Sequence, residues 1–291
     1  MAPHLLSLAL IMASLLQQGA FSISTPARKV ALVTGANKGI GKEIAKKFME
    51  AGFTTILACR TNGKETASEL NCEHSCYLDL TDDESIAQCA AYVDETFGTL
   101  DILCNNAAVC FNDPTLYGKV PHTPFERQAA ISIQTNFFGT YKLTNKLLPL
   151  LQKSSSPRII NIASSAGRLA ILKSKEKVAL FTNPTLTTDN LEQYMSDFVI
   201  AVETGVHAQQ GWANTCYGMS KLGIIAFTKI LARDYPTIMV NSVDPGYCAT
   251  DQNNMQGFRP AERGAVTPLL LATTVQTISG RHWFDEKEIA W

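Results

Sequence analysis

An apolar run that leads straight into a glycine-rich turn constrains the fold of this chain more than any other segment. Residues 30–33 are Val-Ala-Leu-Val, and three glycines and a helix-forming stretch follow closely. Glycines at such a turn let backbone N–H groups approach a pyrophosphate, whose charge the helix dipole favours. We therefore predict a strand, a helix and, between them, a dinucleotide-binding turn formed by Gly35, Asn37, Lys38, Gly39, Ile40 and Gly41.

Short β-rich runs alternate with longer helical patterns along the rest of the chain. Strands are predicted at residues 30–33, 55–58, 76–78, 102–104, 158–162 and 238–243. Helices are predicted at residues 39–51, 83–97, 125–151 and 214–235. This alternation is typical of a Rossmann-type α/β fold, in which a doubly wound parallel sheet has helices on both faces. Because no Pro/Gly/Ser-rich linker divides residues 29–291, we expect a single domain.

The composition argues against several other kinds of protein. The formal net charge is -1, so the charge balance gives no indication of a nucleic-acid partner. The 8 cysteines are scattered through a chain that is too large to need a disulfide framework. Cys72 and Cys76 flank His74, but no second pair of ligands accompanies them, so we predict no metal site.

Residues 1–28 differ from the rest and form a leader outside the predicted fold. Leu5 to Leu16 is an almost unbroken apolar run, too short for a helix that spans a bilayer but similar to the core of a secretory signal. No Lys or Arg precedes this run, which is unusual for a signal. Two interpretations stay open: a secretory or membrane-associating leader, cleaved near Ala20, or an extension of a cytoplasmic enzyme.

The end of the second predicted strand bears on the choice of nucleotide. NAD sites usually place an Asp or Glu there, where it binds the ribose hydroxyls. This chain has Cys59-Arg60-Thr61 instead, with no acid. Arg60 and Lys38 could pair with a 2′-phosphate by charge-assisted hydrogen bonds, although both could also be ordinary surface cations. NADPH is therefore the predicted cofactor.

Tyr217 and Lys221 stand four residues apart in a predicted helix, so they share one face. A nearby ammonium favours phenolate, and we expect it to lower the pKa of Tyr217. A phenol tuned in this way can donate a proton to an alkoxide as it forms. The same spacing occurs often in helices as a simple packing pair, so the interpretation depends on the motifs around it.

Those motifs follow one another in a recognisable order. After the glycine turn come Leu78-Asp79-Leu80, Asn105-Asn106-Ala107-Ala108, the run from Thr135 to Thr140, the run from Asn161 to Ser165, the Tyr217/Lys221 pair and Asp244-Pro245-Gly246. With this set, the chain from about residue 29 resembles the short-chain dehydrogenase/reductase family, and within it the monomeric carbonyl reductases of animals. The resemblance implies NADPH-dependent reduction of ketones, aldehydes or quinones.

The resemblance also implies catalytic roles. Tyr217 would be the general acid, and Lys221 would lower its pKa and hold the nicotinamide ribose. Ser164 would donate a hydrogen bond to the substrate carbonyl, and the family's Ser-x-x-Gly spacing selects it over Ser165. Asn136 would fix a water that connects Lys221 to solvent.

Other residues would surround the cofactor and the substrate. The resemblance places Asp79, with Leu80 beside it, at the adenine, Asn105 at the adenosine-side ribose, and the Pro245-Gly246 turn at the nicotinamide. Tyr247 would face the substrate.

The chain departs from the family pattern at three of these positions. Ala108 replaces a usual glycine, which is tolerable only at negative φ and is expected to weaken cofactor binding slightly. Asp244 and Tyr247 replace the cysteine and tryptophan of animal carbonyl reductases. Substrate preference, including any for glutathione-linked carbonyls, therefore does not carry over.

The segment between Ser164 and Tyr217 is longer than in most members of the family. We predict a helical insertion at about residues 168–212, with Asp189 and Glu192 as a start signal and an apolar stripe of Leu191, Tyr194, Met195, Phe198, Val199 and Val202. The resemblance to monomeric reductases implies that this insertion covers the surface through which other members form tetramers. We therefore expect a monomer.

Two other functions stay open. One is an NAD(P)-dependent alcohol or hydroxysteroid dehydrogenase that works mainly in the oxidising direction, which the missing acid near Arg60 disfavours. The other is a non-catalytic nucleotide-binding regulator. A binding module has no need for Asn136, Ser164, Tyr217 and Lys221 together, so their joint presence argues against it.

Overall fold

The structure is a computed structural model that describes residues 28–111 and 123–291. The predicted leader lies, except for its last residue, outside this part of the chain. Among the helices of the described part, none combines the length and the apolar character that a bilayer crossing requires.

One sheet of eight strands organises the fold. The strands are β1 (Val30–Thr34), β2 (Thr54–Cys59), β3 (His74–Tyr77), β4 (Ile102–Asn105), β5 (Arg158–Ile162), β6 (Met239–Val243), β7 (His282–Phe284) and β8 (Lys287–Ile289). Their spatial order is β3-β2-β1-β4-β5-β6-β7-β8, and every neighbouring pair is parallel except β7 and β8. The predicted doubly wound parallel sheet is confirmed, whereas the short strands β7 and β8 were not predicted.

Helices cover both faces of this sheet. They are α1 (Gly39–Glu50), α2 (Gly63–Leu70), α3 (Asp83–Phe97), α4 (Phe125–Ile133), α5 (Thr140–Leu151), α6 (Lys175–Thr182), α7 (Thr188–Glu203), α8 (Cys216–Asp234), α9 (Ala261–Gly264) and α10 (Val266–Thr273). Successive strand residues point to opposite faces, so Leu32 and Val33 enter two different apolar clusters. Helices α3, α5 and α8 pack on the first cluster, and α1 and α10 pack on the second.

The order of the strands reverses beside β1. Strand β1 pairs with β2 on one side and with β4 on the other, so the chain winds outward in both directions from this point. In open α/β sheets, ligands bind beyond the carboxyl ends of the strands at such a switch point. The loops after β1 and β4 are therefore placed where a ligand site is expected.

The predicted helix over residues 125–151 is not continuous. A π-helical turn at Gln134–Gly139 separates α4 from α5, and it carries Asn136. A side chain at Gly139 would meet the Leu80 carbonyl oxygen at 2.2 Å, so the widened turn lies directly against the loop after β3. Single π turns inside α-helices often mark functional sites, and periodicity alone does not reveal them.

The insertion contains helices α6 and α7, between β5 and α8. Leu191, Met195, Phe198 and Val202 of α7 are buried, as the apolar stripe predicted. The side chain of Thr187 caps this helix by accepting from Asn190 N, whereas Asp189 lies in its first turn. Helix α7 packs against α4 and α8. The insertion thus covers part of these helices, and the monomeric state remains a prediction.

Candidate active site

A groove opens at the switch point of the sheet. It is lined by Gly35, Asn37, Lys38, Gly39, Ile40, Gly41, Arg60, Thr61, Leu78, Asp79, Leu80, Asn106, Ala107, Ala108, Val109, Thr135, Thr250, Asp251 and Gln252. All six residues of the predicted turn are among them, together with Arg60, Asp79 and Leu80. The sequence analysis assigned no role to Thr61, Thr250, Asp251 or Gln252, which also line the groove.

The glycine turn has the geometry that a phosphate requires. Gly35 and Gly39 have φ values of 64° and 54°, which L-residues with side chains rarely adopt. A side chain at Gly41 would meet the Gly35 carbonyl oxygen at 2.3 Å. No side chain caps α1 at Lys38, so the first N–H groups of this helix are left for an anion in the groove. These residues fit the pyrophosphate of a dinucleotide.

Both predicted phosphate-binding cations line this groove, and each faces a carboxylate. Lys38 Nζ lies 3.4 Å from Asp251 Oδ2, and Arg60 lies 3.6 Å from Asp79 Oδ2. Burial alone would raise the pKa of Asp79, but hydrogen bonds from Thr81 and the charge of Arg60 lower it overall. The Lys38–Asp251 pair is exposed on both sides, and such pairs contribute only about 0–1 kcal/mol, so an incoming phosphate could replace this carboxylate at little cost.

Asn105 does not line the groove. Its Nδ2 donates to Thr144 Oγ1 at 3.1 Å and to Asn161 Oδ1 at 2.9 Å, and only 5% of the residue is exposed. The next residue, Asn106, lines the groove and donates to Thr34 O at 2.8 Å. The Asn105 side chain therefore joins β4 to β5 and α5 inside the core, and the ribose contact of this residue stays a prediction.

Ala108 also lines the groove. It is not among the non-glycine residues with positive φ in the described part of the chain. The condition for tolerating a methyl group at this position is therefore met without backbone strain.

Ser164, Tyr217 and Lys221 come together beyond the ends of β5 and β6. The Ser164 hydroxyl is near enough to the Tyr217 phenol to influence its pKa. Ser164 Oγ also accepts from Ala166 N at 3.1 Å, which leaves the hydroxyl proton for donation. Lys221 Nζ donates to Ile162 O at 2.7 Å and lies 5.6 Å from the centre of the Tyr217 ring. The shared helix face predicted for Tyr217 and Lys221 is present.

The pKa of Tyr217 is shifted in the opposite direction to the sequence prediction. Burial raises the pKa of this phenol most, the neighbouring Cys110 and Asp244 raise it further, and the Ser164 hydroxyl opposes the shift. Burial also lowers the pKa of Lys221 to about 8. The Lys221 ammonium donates to a backbone carbonyl, and burial disfavours the protonated form of this side chain. The expectation of a lowered pKa for this phenol is therefore wrong here, because burial is the largest influence on it.

Asn136 holds the loop after β4 against α8. Its Oδ1 accepts from Val109 N at 2.8 Å, and its Nδ2 donates to Val109 O and to Ser220 Oγ, both at 2.9 Å. Ser220 in turn donates to Tyr217 O at 2.7 Å. Asn136 thus joins a groove-lining loop to the helix that carries Tyr217, and its water-binding role stays a prediction.

Asp244 ties two loops of the site together. Its Oδ2 accepts from Ser165 N at 3.0 Å, and its Oδ1 accepts from Gly246 N at 2.9 Å. Only 6% of the residue is exposed. The Asp244 carboxylate therefore fixes the turn at residues 164–167, here called the serine loop, against the Pro245-Gly246 turn, a role that the sequence did not reveal.

The backbone of the serine loop also lies directly against α8. A side chain at Gly167 would come within 2.6 Å of Leu222 N and Lys221 C. From the opposite end of the chain, Trp291 Nε1 donates to Gly167 O at 3.0 Å. The distance between Ser164 and the helix of Tyr217 is thus fixed by a contact that only glycine allows.

The loop after the Pro245-Gly246 turn is anchored from behind. Arg259 packs against Gly246 and forms an ion pair with Asp285. The Tyr247 side chain is 37% exposed, and its ring lies 5.6 Å from that of Phe258. Tyr247 does not line the groove itself, and its contact with substrate stays a prediction.

The residues considered for zinc have other partners. Cys72 Sγ lies 3.1 Å from Thr55 O and 3.4 Å from His74 O, and His74 Nδ1 lies 3.2 Å from Tyr92 Oη. Within residues 28–111 and 123–291, no three His, Cys, Asp or Glu side chains come together as metal ligands.

The doubly wound sheet and the glycine turn at its switch point define a Rossmann-type α/β protein. The chain belongs to the short-chain dehydrogenase family, whose model matches residues 29–175. This is a family of oxidoreductases.

Relatives and solved structures agree with this assignment. A protein of Rattus norvegicus named carbonyl reductase (NADPH) 1 is 33% identical over 274 residues, which cover 88% of this chain and 94% of the relative. The structure of salutaridine reductase from Papaver somniferum matches with a TM-score of 0.80 at 30% identity, covering 89% of this chain and 100% of that one. Menthone neomenthol reductase from Mentha piperita gives a TM-score of 0.77 at 29% identity, covering 90% and 100%.

Proposed function

We propose that this chain is an NADPH-dependent carbonyl reductase that acts on ketones, aldehydes or quinones, with residues 29–291 as one catalytic domain. The observation that carries the proposal is the cluster of Ser164, Tyr217 and Lys221, with Asn136 behind it, beside a groove that fits a dinucleotide. Relatives named as NADPH carbonyl reductases support the same reaction class. The cationic side chains of Lys38 and Arg60 in the groove support a 2′-phosphate on the nucleotide.

The residues of the cluster divide the chemistry between them. A bound reduced nicotinamide supplies the hydride. Ser164 donates a hydrogen bond to the substrate carbonyl oxygen and stabilises the negative charge that develops there. Tyr217 then gives its phenolic proton to that oxygen. The raised pKa of Tyr217 keeps the phenol protonated near neutral pH, and an alkoxide is far more basic than a phenolate, so the transfer remains favourable.

Lys221 has two tasks in this scheme. Its hydrogen bond to Ile162 O fixes the ammonium beside the phenol, and its charge stabilises the phenolate left after proton transfer. Asn136 and Ser220 hold the backbone of the helix at Tyr217, so the phenol stays within reach of Ser164. The Asp244 carboxylate binds both the serine loop and the Pro245-Gly246 turn and so holds them in a fixed relative position.

Oxidation of NADPH in the presence of menadione tests the proposal. The purified chain should turn over, and Tyr217→Phe should keep nucleotide binding while losing most of its turnover, because only the proton donor is removed. Tyr194→Phe, in the insertion helix, is the matched control and should retain activity. Undiminished turnover in Tyr217→Phe would show that another group donates the proton. Tight nucleotide binding without turnover in the unmodified chain would support the non-catalytic regulator instead.

A further inference from the structure

Two thiols far along the sheet from the catalytic cluster are in contact. Cys76 on β3 and Cys89 on α3 have their Sγ atoms 3.4 Å apart. Strand β3 forms one edge of the sheet, and Cys76 is partly exposed there, whereas only 1% of Cys89 is exposed. Cys76 is thus the less buried member of the pair, and Cys89 lies behind it.

The spacing in the sequence points to a different pair. Cys72 and Cys76 are four residues apart, but an extended chain separates such residues by roughly 13 Å. The Sγ of Cys72 interacts instead with the backbone carbonyls of Thr55 and His74. Packing of α3 on β3 brings in Cys89 as the partner of Cys76, across a separation of 13 residues.

We propose that Cys76 and Cys89 form a reversible disulfide that ties the edge strand β3 to helix α3. A disulfide bond is about 2.05 Å long, so the two sulfurs must approach by a little over 1 Å, roughly the reach of small side-chain rotations. The two sulfurs already touch, and the elements that carry them are packed against each other.

A peroxide is the oxidant that fits the exposure of the pair. It oxidises the Cys76 thiol to a sulfenic acid, and one water is released. The Cys89 sulfur then attacks the Cys76 sulfur, the S–O bond breaks, and a second water leaves with the Cys89 proton. In total the two thiols lose two protons and two electrons, and the peroxide takes up both and is reduced to two waters.

The bond would stabilise the part of the fold that leads into the groove. Asp79 and Leu80 follow Cys76 within four residues and line the groove. Closing the loop between residues 76 and 89 removes freedom from the unfolded chain. Disulfides persist in oxidising compartments, so the pair would be oxidised if the leader directs the chain into the secretory pathway.

Peptide mapping of the full chain tests the proposal. Reduced protein is treated with hydrogen peroxide, the remaining thiols are alkylated, and the chain is cut with a glutamate-specific protease. Cleavage after Glu69, Glu73, Glu84 and Glu95 places the three cysteines on separate peptides, 70–73, 74–84 and 85–95. We expect peptides 74–84 and 85–95 to be linked, and to separate on reduction with dithiothreitol. The oxidised protein should melt about 6 °C higher than the reduced one.

Matched variants separate this pair from the other thiols. Cys72→Ser should retain the link and the gain in melting temperature, whereas Cys89→Ala and Cys76→Ser should lose both. Cys76→Ser guards against misfolding of the other variant. Cys76 is only partly buried, so its replacement should disturb the fold less than a change at buried Cys89. Two outcomes would overturn the proposal. One is a link between peptides 70–73 and 74–84; the other is recovery of Cys76 as a free thiol or a sulfinic acid after other cysteines are oxidised.

Discussion

Replacement of Gly167 by alanine should separate the serine loop from the catalytic helix. The added Cβ would lie 2.6 Å from backbone atoms of Lys221 and Leu222, whereas ordinary contact begins at 3.4 Å. Neither neighbour is a flexible side-chain end, so the loop must retreat by about 0.8 Å. Ser164 lies in the same tight turn and moves with it, since Gly167 N donates to Ser164 O at 2.9 Å.

The expected loss follows from that displacement. A misplacement of about 1 Å in an active site can cost about 100-fold in rate, so kcat should fall by roughly 30- to 100-fold. Overpacking costs about 1–3 kcal/mol, which corresponds to a melting temperature about 5 °C lower in a chain of this size. Nucleotide binding should change little, because the glycine turn after β1 is untouched.

Steady-state kinetics with NADPH and menadione, together with thermal melting and NADPH titration, measure these effects. Gly63→Ala is the matched control: its Cβ would lie 3.5 Å from Cys59 Cβ, an ordinary contact. That variant should keep the kcat and melting temperature of the unmodified chain. A Gly167→Ala protein that melts normally and keeps kcat within twofold would refute the idea that this contact sets the position of Ser164.

Three further perturbations examine the charges around the site. Arg60→Ala should raise the KM for NADPH by about tenfold and leave that for NADH nearly unchanged; equal effects on both would contradict the phosphate role. Burial lowers the pKa of Lys221 to about 8, and the charged form is the active one, so kcat/KM should fall as the pH rises through about 8. A profile that is flat to pH 10 would exclude a requirement for charged Lys221. Asp244→Asn should lower kcat by about tenfold and move that alkaline limb to lower pH, because the Asp244 carboxylate raises the pKa of Lys221 and its removal lowers that pKa; an unmoved limb would limit Asp244 to a structural role.

Local sequence patterns were sufficient to predict the first strand, the glycine turn and the helix that follows it. The step from β1 through the glycine turn to α1 could be read directly, because strand alternation and the positive φ of Gly35 and Gly39 are properties of neighbouring residues. The shared face of Tyr217 and Lys221 follows in the same way from helical spacing. The order of the motifs then identified the family.

What the sequence by itself determined was therefore the doubly wound sheet, its family and the glycine turn at the carboxyl end of β1. Only the tertiary structure decided how other residues are used: Asn105 turns into the core, Arg60 meets Asp79, and Cys76 meets Cys89 rather than Cys72. It also decided the direction of the pKa shift of Tyr217. Burial and charge pairing depend on which distant segments pack together, and the spacing of residues along the chain does not contain that information.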